Sequence, residues 1–167
     1  MIRFFGGRVM TLANGIETQD IEVWTEGSKI VFVGKPKAEE LDGKVFEREY
    51  DLKGNLLMPS FKNAHTHSAM TFLRSYADDM PLQDWLFKQI FPMEAKLDGE
   101  KVYWLTKLAI LEYLTTGCTA AFDMYFELDD YVKACIESGF RSVLCGAVSG
   151  DKSNLERLEN NYLKYNG

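Results

Sequence analysis

The stretch LLMPSFKNAHTHSAM, residues 56–70, decides how this chain is interpreted, because it runs from an apolar segment into both histidines of the protein. His65 and His67 are separated by a single residue. Residues i and i+2 of a β-strand point to the same face, so a strand here would project both imidazoles together from its C-terminal end. Two converging neutral imidazoles make half of a tetrahedral or five-coordinate site for zinc or a similar divalent ion. A His-x-His pair also arises by chance, and the spacing alone leaves a structural role open.

The chain after this strand alternates between helix and strand signals. The order strand, helices, strand, helix, strand, helix predicts parallel strands with helical crossovers, which is an α/β architecture. Three such units make less than half of an eight-stranded barrel, which needs about 250 residues. We therefore expect residues 55–167 to form the first three β/α units of an incomplete (β/α)8 barrel. The segments after the first strand are helices at 80–97 and 99–117, a buried strand at 118–125, a helix at 127–139, another buried strand at 140–148 and a helix at 153–167.

Three of these helices carry recognisable end or face signals. The helix at 99–117 is apolar around most of its circumference and is closed by Gly117. In the last helix, Ser153 is followed three residues later by Glu156, which is the pattern of a capping box. The helix at 127–139 stops at Gly139, and its apolar residues recur at helical spacing on one predicted buried face. That face comprises Leu128, Tyr131, Val132, Cys135 and Ile136.

The first part of the chain, residues 1–54, reads as short strands of a small β-sandwich-like domain. β-Branched and aromatic residues fill the segments 2–12 and 20–35, and TEGSK at 25–29 predicts a five-residue hairpin connection that contains glycine. Apolar residues follow a period of two, which predicts half-buried strands. They are Ile21, Val23, Ile30 and Phe32. The unit is too short to make a sandwich by itself.

Composition narrows the class of protein and its partners. The 167 residues carry a net charge of -6 with no cluster of Lys or Arg, which argues against nucleic acid as a partner. No run approaches the roughly 20 apolar residues that span a bilayer, and the first residues lack a signal-peptide core. Three cysteines without a Cys-x-x-Cys pair suggest reduced thiols in a cytoplasmic protein. Cys118, Cys135 and Cys145 each lie in an apolar segment, as small core residues do.

Residues 56–70 resemble the first barrel strand of the amidohydrolase superfamily, where a Pro-Gly-x-x-x-His/Ala-His-x-His segment follows an N-terminal β unit. Ser60 stands in the position of the usual glycine. The continuation at 70–86, 90–97 and 117–125 resembles the branch of nucleoside and triazine deaminases and chlorohydrolases, and most of all its methylthioadenosine/S-adenosylhomocysteine deaminases. The resemblance covers essentially the whole chain.

The resemblance implies one divalent metal, zinc in the first place with Fe or Mn as alternatives. In the family a His-x-His pair, a third histidine and an aspartate hold this metal, and His65 and His67 match the first two ligands. Glu94 matches a glutamate that accepts hydrogen bonds from ribose hydroxyls. Trp85 stands where the family places an aromatic residue against the purine ring. A solvated glutamate at a helix end and a core tryptophan are the structural alternatives for the last two.

Two other residues of the family signature lie at the end of the second predicted barrel strand. Asp123 and Tyr125 have no metal role that the resemblance implies, and we expect them to fix the adjacent loop by hydrogen bonding. The family also places an arginine shortly after the third strand, and the segment 144–153 has none. Arg141 precedes that strand and does not replace it. The identity of the substrate is therefore open.

The interpretation that follows is an N-terminal portion of a cytoplasmic, metal-dependent amidohydrolase that deaminates an adenosine-type nucleoside. The catalytic residues and the third histidine of the family would lie beyond Gly167, because both histidines are already used. We expect the chain to be inactive alone and to form a homo-oligomer, since half a barrel exposes a sheet edge and apolar faces. A chlorohydrolase or guanine-type deaminase on the same scaffold, or a non-catalytic metal-binding or scaffold module, are the alternatives.

Overall fold

A computed structural model of the protein describes residues 1–13, 15–146 and 152–165, without the side chains of 152–154. The chain divides into two compact units, Met1–Pro59 and Ser60–Gly167. The sequence placed this division after residue 54. The difference arises because residues 56 and 57 form a strand that pairs with the first unit.

The first unit contains two small sheets. In the four-stranded sheet, of order β5-β4-β1-β6, β1 is antiparallel to β4 and parallel to β6. In the three-stranded sheet, of order β3-β2-β7, β2 is antiparallel to β3 and parallel to β7. The elements are β1 Ile2–Phe5, β2 Arg8–Thr11, β3 Glu17–Gln19, β4 Glu22–Glu26, β5 Lys29–Gly34, helix α1 Ala38–Leu41, β6 Arg48–Asp51 and β7 Leu56–Leu57.

The β4–β5 hairpin differs from its prediction in two respects. Its connection is two residues long and not five, because the strands extend to Glu26 and Lys29. The register shifts next to Trp24, which breaks the period of two in β5. Phe32 therefore stacks on the buried Trp24 with ring centroids 4.1 Å apart, whereas Ile30 is 66% exposed and not half-buried as predicted.

The second unit contains a three-stranded sheet of order β10-β9-β8 in which both pairings are parallel. Helices connect its strands, so the predicted mixed α/β architecture is confirmed, while the incomplete barrel stays a prediction. The elements are β8 Phe61–Thr66, a 3₁₀ helix Ser68–Leu73, α2 Leu82–Asp84, a π-helical segment Trp85–Ile90, α3 Phe91–Glu94, α4 Gly99–Thr115, β9 Cys118–Met124, α5 Leu128–Ser138, β10 Arg141–Cys145 and α6 Lys152–Tyr165.

Two proline positions interrupt elements that the sequence presented as continuous. Residues 56–66 form β7 and β8 with a break at Met58–Ser60, where Pro59 cannot donate to a strand ladder. The single helix predicted at 80–97 is three consecutive pieces, α2, the π-helical segment and α3. Pro92 has no N–H for the carbonyl of Lys88, which explains why the regular helical ladder is lost just before it.

The core of the second unit lies between α4, α5 and one face of the sheet. Its buried residues are Ala69, Val102, Ile110, Ala121, Tyr125, Tyr131, Cys135 and Phe140. The opposite face of the sheet is open, so β9 and β10 are buried on one side only and not throughout as predicted. Phe122 and Val143, which face each other in register, are 43% and 56% exposed.

The helix ends agree closely with those predicted from the sequence, but the buried face of one helix does not. Asp98 caps α4 by accepting a hydrogen bond from the Lys101 N–H at 3.0 Å, and Gly117 and Gly139 end α4 and α5 with φ of +84° and +63°. In α5 the buried face is Tyr131, Ala134 and Cys135, and Ile136 is 74% exposed. The predicted face was too wide, and its far edge lies in solvent. The predicted capping box at Ser153 lies outside the described side chains.

Two of the three cysteines are buried as the sequence predicted. All three thiols are free, and Cys118 and Cys135 are buried as predicted, while Cys145 is half-buried. Burial raises the pKa of Cys135 to about 11, which keeps the thiol protonated. Among the described residues, none of the helices combines the length and the apolar character needed to cross a membrane.

Candidate functional site

The two histidines lie at the carboxyl end of β8, which is the edge of a parallel β/α sheet where active sites form. His65 is the last residue but one of the strand, and His67 directly follows it. Their ring centroids are 5.0 Å apart with the planes at 82°. The rings are therefore side by side, as strand periodicity predicts. His65 is exposed and His67 is half-buried. Their role as metal ligands stays a prediction.

The ring of His67 is oriented by the neighbouring strand. Its Nδ1 atom lies 2.7 Å from the backbone carbonyl oxygen of Met124, the last residue of β9. Because a carbonyl only accepts, Nδ1 donates, and in the neutral ring the lone pair is then on Nε2. Histidine ligands of metals commonly hold the second nitrogen in this way. The chemistry of this donor pair therefore fits a divalent ion.

A buried carboxylate holds the residue after His67. Asp123, at 1% exposed, lies with its Oδ1 and Oδ2 atoms 3.3 and 3.2 Å from the backbone nitrogen of Ser68, which donates to both. Burial raises the pKa of Asp123 above its usual value, and the hydrogen bonds from Ser68 oppose that rise. The end of β9 thus fixes the turn after β8 at two points, the His67 ring and the Ser68 backbone.

Glu94, the predicted substrate-binding residue, is joined to the same strand. The hydroxyl of Tyr125 donates to Glu94 Oε1 at 2.9 Å. Glu94 ends α3 and is half-buried, while Tyr125 directly follows β9 and is buried. Burial raises the pKa of Glu94, and the Tyr125 hydrogen bond and the charge of His67 act in the opposite direction. The charge of His67 therefore acts on Glu94.

Trp85 is the remaining predicted site residue. It is half-buried in the π-helical segment. In the described part of the chain, no hydrogen bond or ring contact joins it to Glu94 or to either histidine. Its place against a purine ring stays a prediction.

The donor set is incomplete within the described residues. They contain no group of three or more His, Cys, Asp or Glu side chains arranged to hold a metal ion. This agrees with the histidine count, which leaves no third imidazole for the site. Two imidazoles are only part of the ligand set that a zinc ion requires.

Sequence reasoning understated two residues of β9 and its end. Asp123 and Tyr125 were expected only to fix a loop, yet one holds the segment beside His67 and the other holds Glu94. Their position at the carboxyl end of a parallel strand was the available signal. The role of the Met124 carbonyl could not be predicted from the sequence, because every residue has a backbone carbonyl.

The fold and this arrangement define a class: β/α proteins with a histidine pair and a carboxylate at the carboxyl ends of parallel strands. Residues 56–165 match the amidohydrolase family, and the chain belongs to that family. The predicted resemblance is thereby confirmed.

Curated relatives are similar over part of their length. The chain is 43% identical over 136 residues to a 5-methylthioadenosine/S-adenosylhomocysteine deaminase of Desulfitobacterium hafniense, covering 81% of this chain and 31% of the relative. It is 52% identical over 108 residues to a 5'-deoxyadenosine deaminase of Methanospirillum hungatei, covering 64% and 24%. The chain thus spans about a third or less of the length of these relatives.

Solved structures show the same fold. An atrazine chlorohydrolase of Arthrobacter aurescens complexed with zinc superposes with a TM-score of 0.83 at 21% identity, over 98% of this chain and 42% of the other. An adenosine deaminase of Xanthomonas campestris with bound zinc gives 0.83 at 25% identity, over 98% and 47%. The chlorohydrolase likeness is a likeness of fold alone.

Proposed function

We propose that this chain supplies the first two metal ligands and the ribose-binding carboxylate of a metal-dependent aminohydrolase. Its substrate would be an adenosine-type nucleoside of the methylthioadenosine/S-adenosylhomocysteine class. The observation that carries the proposal is the His67 ring, whose Nδ1 is engaged by Met124 so that Nε2 is available beside His65. The names of the curated relatives support the choice of substrate.

In this proposal His65 and His67 hold one divalent ion, with zinc in the first place and Fe or Mn as alternatives. When bound, such an ion lowers the pKa of a coordinated water to about 7 and so supplies a nucleophile at neutral pH. In this proposal, the role of the chain is to orient the two imidazoles. Met124 does this for His67 through its carbonyl, and Asp123 holds the adjoining Ser68.

Glu94 binds the sugar in the same proposal. Two neighbouring ribose hydroxyls can donate to one carboxylate, and hydrogen bonds to a charged acceptor are about twice as strong as neutral ones. The charged state is needed for this, and Tyr125 favours it by donating to Oε1. Trp85 would stack on the purine ring.

The catalytic acid/base and the other metal ligands are assigned to polypeptide outside these 167 residues. The chain alone is therefore proposed to be inactive. Guanine deamination and triazine dechlorination are the other reactions proposed for this scaffold, and a non-catalytic metal-binding module is the alternative outside the enzymes.

The test measures ammonia release from 5'-methylthioadenosine by the product of the complete reading frame that contains these residues. His65→Ala and His67→Ala should each reduce kcat/KM at least about a thousandfold, because the metal-activated water is lost. Their zinc content, measured by mass spectrometry, should fall in parallel. Lys101→Ala, an exposed ion-pair residue at the start of α4, is the control and should keep both.

Each alternative gives a different result in the same assay. Preferred turnover of guanine or of a chlorinated triazine would show that the substrate is not an adenosine-type nucleoside. Zinc bound at one equivalent without turnover of any of the three compounds would favour the non-catalytic module. Full activity of His65→Ala would refute the metal site itself.

A further inference from the structure

Tyr125 is fixed more firmly than the carboxylate it contacts. It is 9% exposed and belongs to the buried cluster between α4, α5 and the sheet. Its ring stacks on Phe126 with centroids 4.2 Å apart and planes at 21°. The hydroxyl therefore has a defined position at the end of β9.

Glu94 depends on that hydroxyl for its orientation. It is the last residue of α3, a helix of four residues that follows the π-helical segment. Within the described residues, the hydrogen bond from Tyr125 is the one that reaches its carboxylate. A glutamate side chain has several rotatable bonds, and an otherwise free carboxylate would sample many directions.

The structure assigns to Tyr125 the role of a positioning residue for Glu94. The bond to Oε1 restrains the position of that oxygen and leaves Oε2 and the remaining lone pairs for a ligand that presents two adjacent hydroxyls. This inference rests on the proposed function and extends it, because an immobilised acceptor distinguishes a vicinal diol from a sugar that lacks one hydroxyl.

The position of Tyr125 in the chain adds a second consequence. It directly follows Met124, whose carbonyl orients the ring of His67 at 2.7 Å. One dipeptide at the end of β9 therefore sets the direction of a metal ligand and of the sugar-binding carboxylate. Two consecutive residues of one strand end would therefore orient both the candidate metal ligand His67 and the candidate sugar acceptor Glu94.

The test compares Tyr125→Phe with the unaltered enzyme on 5'-methylthioadenosine and on its 2'-deoxy analogue, using the product of the complete reading frame. Phenylalanine keeps the ring in the core and removes only the donor. KM for the ribonucleoside should rise about tenfold with kcat changed less than about threefold. KM for the deoxy analogue, which has no vicinal diol, should change less than about twofold.

A double-mutant cycle with Glu94→Ala separates positioning from a general structural effect, because alanine leaves no acceptor for the Tyr125 hydroxyl. If Tyr125 acts through Glu94, adding Tyr125→Phe to Glu94→Ala should change KM less than about twofold. An equal rise of KM for both nucleosides, or a full effect of Tyr125→Phe in the Glu94→Ala background, would overturn the assignment.

A second readout does not depend on catalysis. The ¹³C chemical shift of the Glu94 carboxyl is followed against pH without substrate. Tyr125 and His67 are the titratable groups that act on this carboxyl, and both lower its pKa, so Tyr125→Phe should raise it. An unchanged pKa would reject the positioning role even in an active deaminase. A raised pKa in a protein that deaminates no nucleoside would support the positioning role and refute only the proposed function.

Discussion

At the scale of single residues, the end of β9 holds the turn after β8 through groups of different chemistry. Met124 uses its backbone carbonyl and Asp123 uses a buried carboxylate. The carbonyl determines which nitrogen of His67 carries the proton, whereas the carboxylate satisfies a backbone N–H that would otherwise be buried without a partner. Both interactions hold the histidine side of the site in place.

The carboxylate of Asp123 should leave a signature in the pH dependence of stability. Its pKa is raised in the folded state above the ordinary value of 3.8. The folded protein then binds the proton more tightly than the unfolded chain, so the associated stability is complete at low pH and is lost as the pH rises through the folded pKa. Asp123→Asn keeps an acceptor for Ser68 and removes the titration.

The measurement is the free energy of urea unfolding as a function of pH, with a chelator present so that metal binding does not contribute. The stability of the unaltered protein should fall relative to that of Asp123→Asn as the pH is raised from about 3 to about 7. Asp78→Asn, which alters another carboxylate of the same unit, is the control. Parallel curves for the protein and its Asp123→Asn variant would contradict the prediction.

Single residues also show how much of the site could be predicted from the sequence. The i, i+2 spacing was sufficient to place the rings of His65 and His67 side by side. It could not give the orientation of the His67 ring, because that depends on a carbonyl 57 residues away. The sequence predicted a hydrogen bond from Tyr125 but not its partner, because Glu94 lies 31 residues away. Local patterns identify chemistry, and tertiary contacts orient it.

At the scale of elements, the residues that mark helix ends predicted the structure more accurately than the apolar patterns along the helices. Gly117 and Gly139 mark the ends of α4 and α5 because a left-handed φ is nearly free for glycine. The faces were less accurate, as Ile136 shows, because periodicity gives a direction but not the width of the contact. The π-helical segment before Pro92 was not foreseen, since its wider turns have no periodic signal of their own.

Gly139 provides the element-scale prediction. The N–H of Phe140 donates to the carbonyl of Cys135 at 3.0 Å, which closes α5 with a Schellman-type turn. A Cβ at Gly139 would meet no atom within 4 Å, so any cost of Gly139→Ala is conformational and not steric. The variant should lose about 1 kcal/mol of unfolding free energy.

Gly139→Asn is the matched comparison for that variant. Asparagine tolerates the left-handed region better than alanine, so its loss in urea unfolding should be smaller. The order glycine, asparagine, alanine is the expected result. Equal stability of Gly139→Ala and the unaltered protein would show that the turn does not require a left-handed residue.

At the scale of the whole molecule, the open face of the parallel sheet is the dominant feature of the second unit. The sheet has three described strands, so β8 and β10 each have a free edge within the described residues. Apolar side chains such as Phe122 and Val143 stand on its uncovered face. In a closed barrel such side chains would be packed in the interior.

This open face leads to the prediction that the 167-residue chain self-associates. Exposed apolar patches and unpaired strand edges both favour contact between copies. Phe122→Ser combined with Val143→Thr keeps β9 and β10 in register but removes apolar area, so the sedimentation coefficient of the chain should shift toward that of a monomer. Ile16→Ser, which removes a 78% exposed apolar side chain from the first unit, should leave the association unchanged. The measurement is sedimentation velocity at several concentrations. A monomeric unaltered chain would contradict the prediction, because the exposed face would then need no partner.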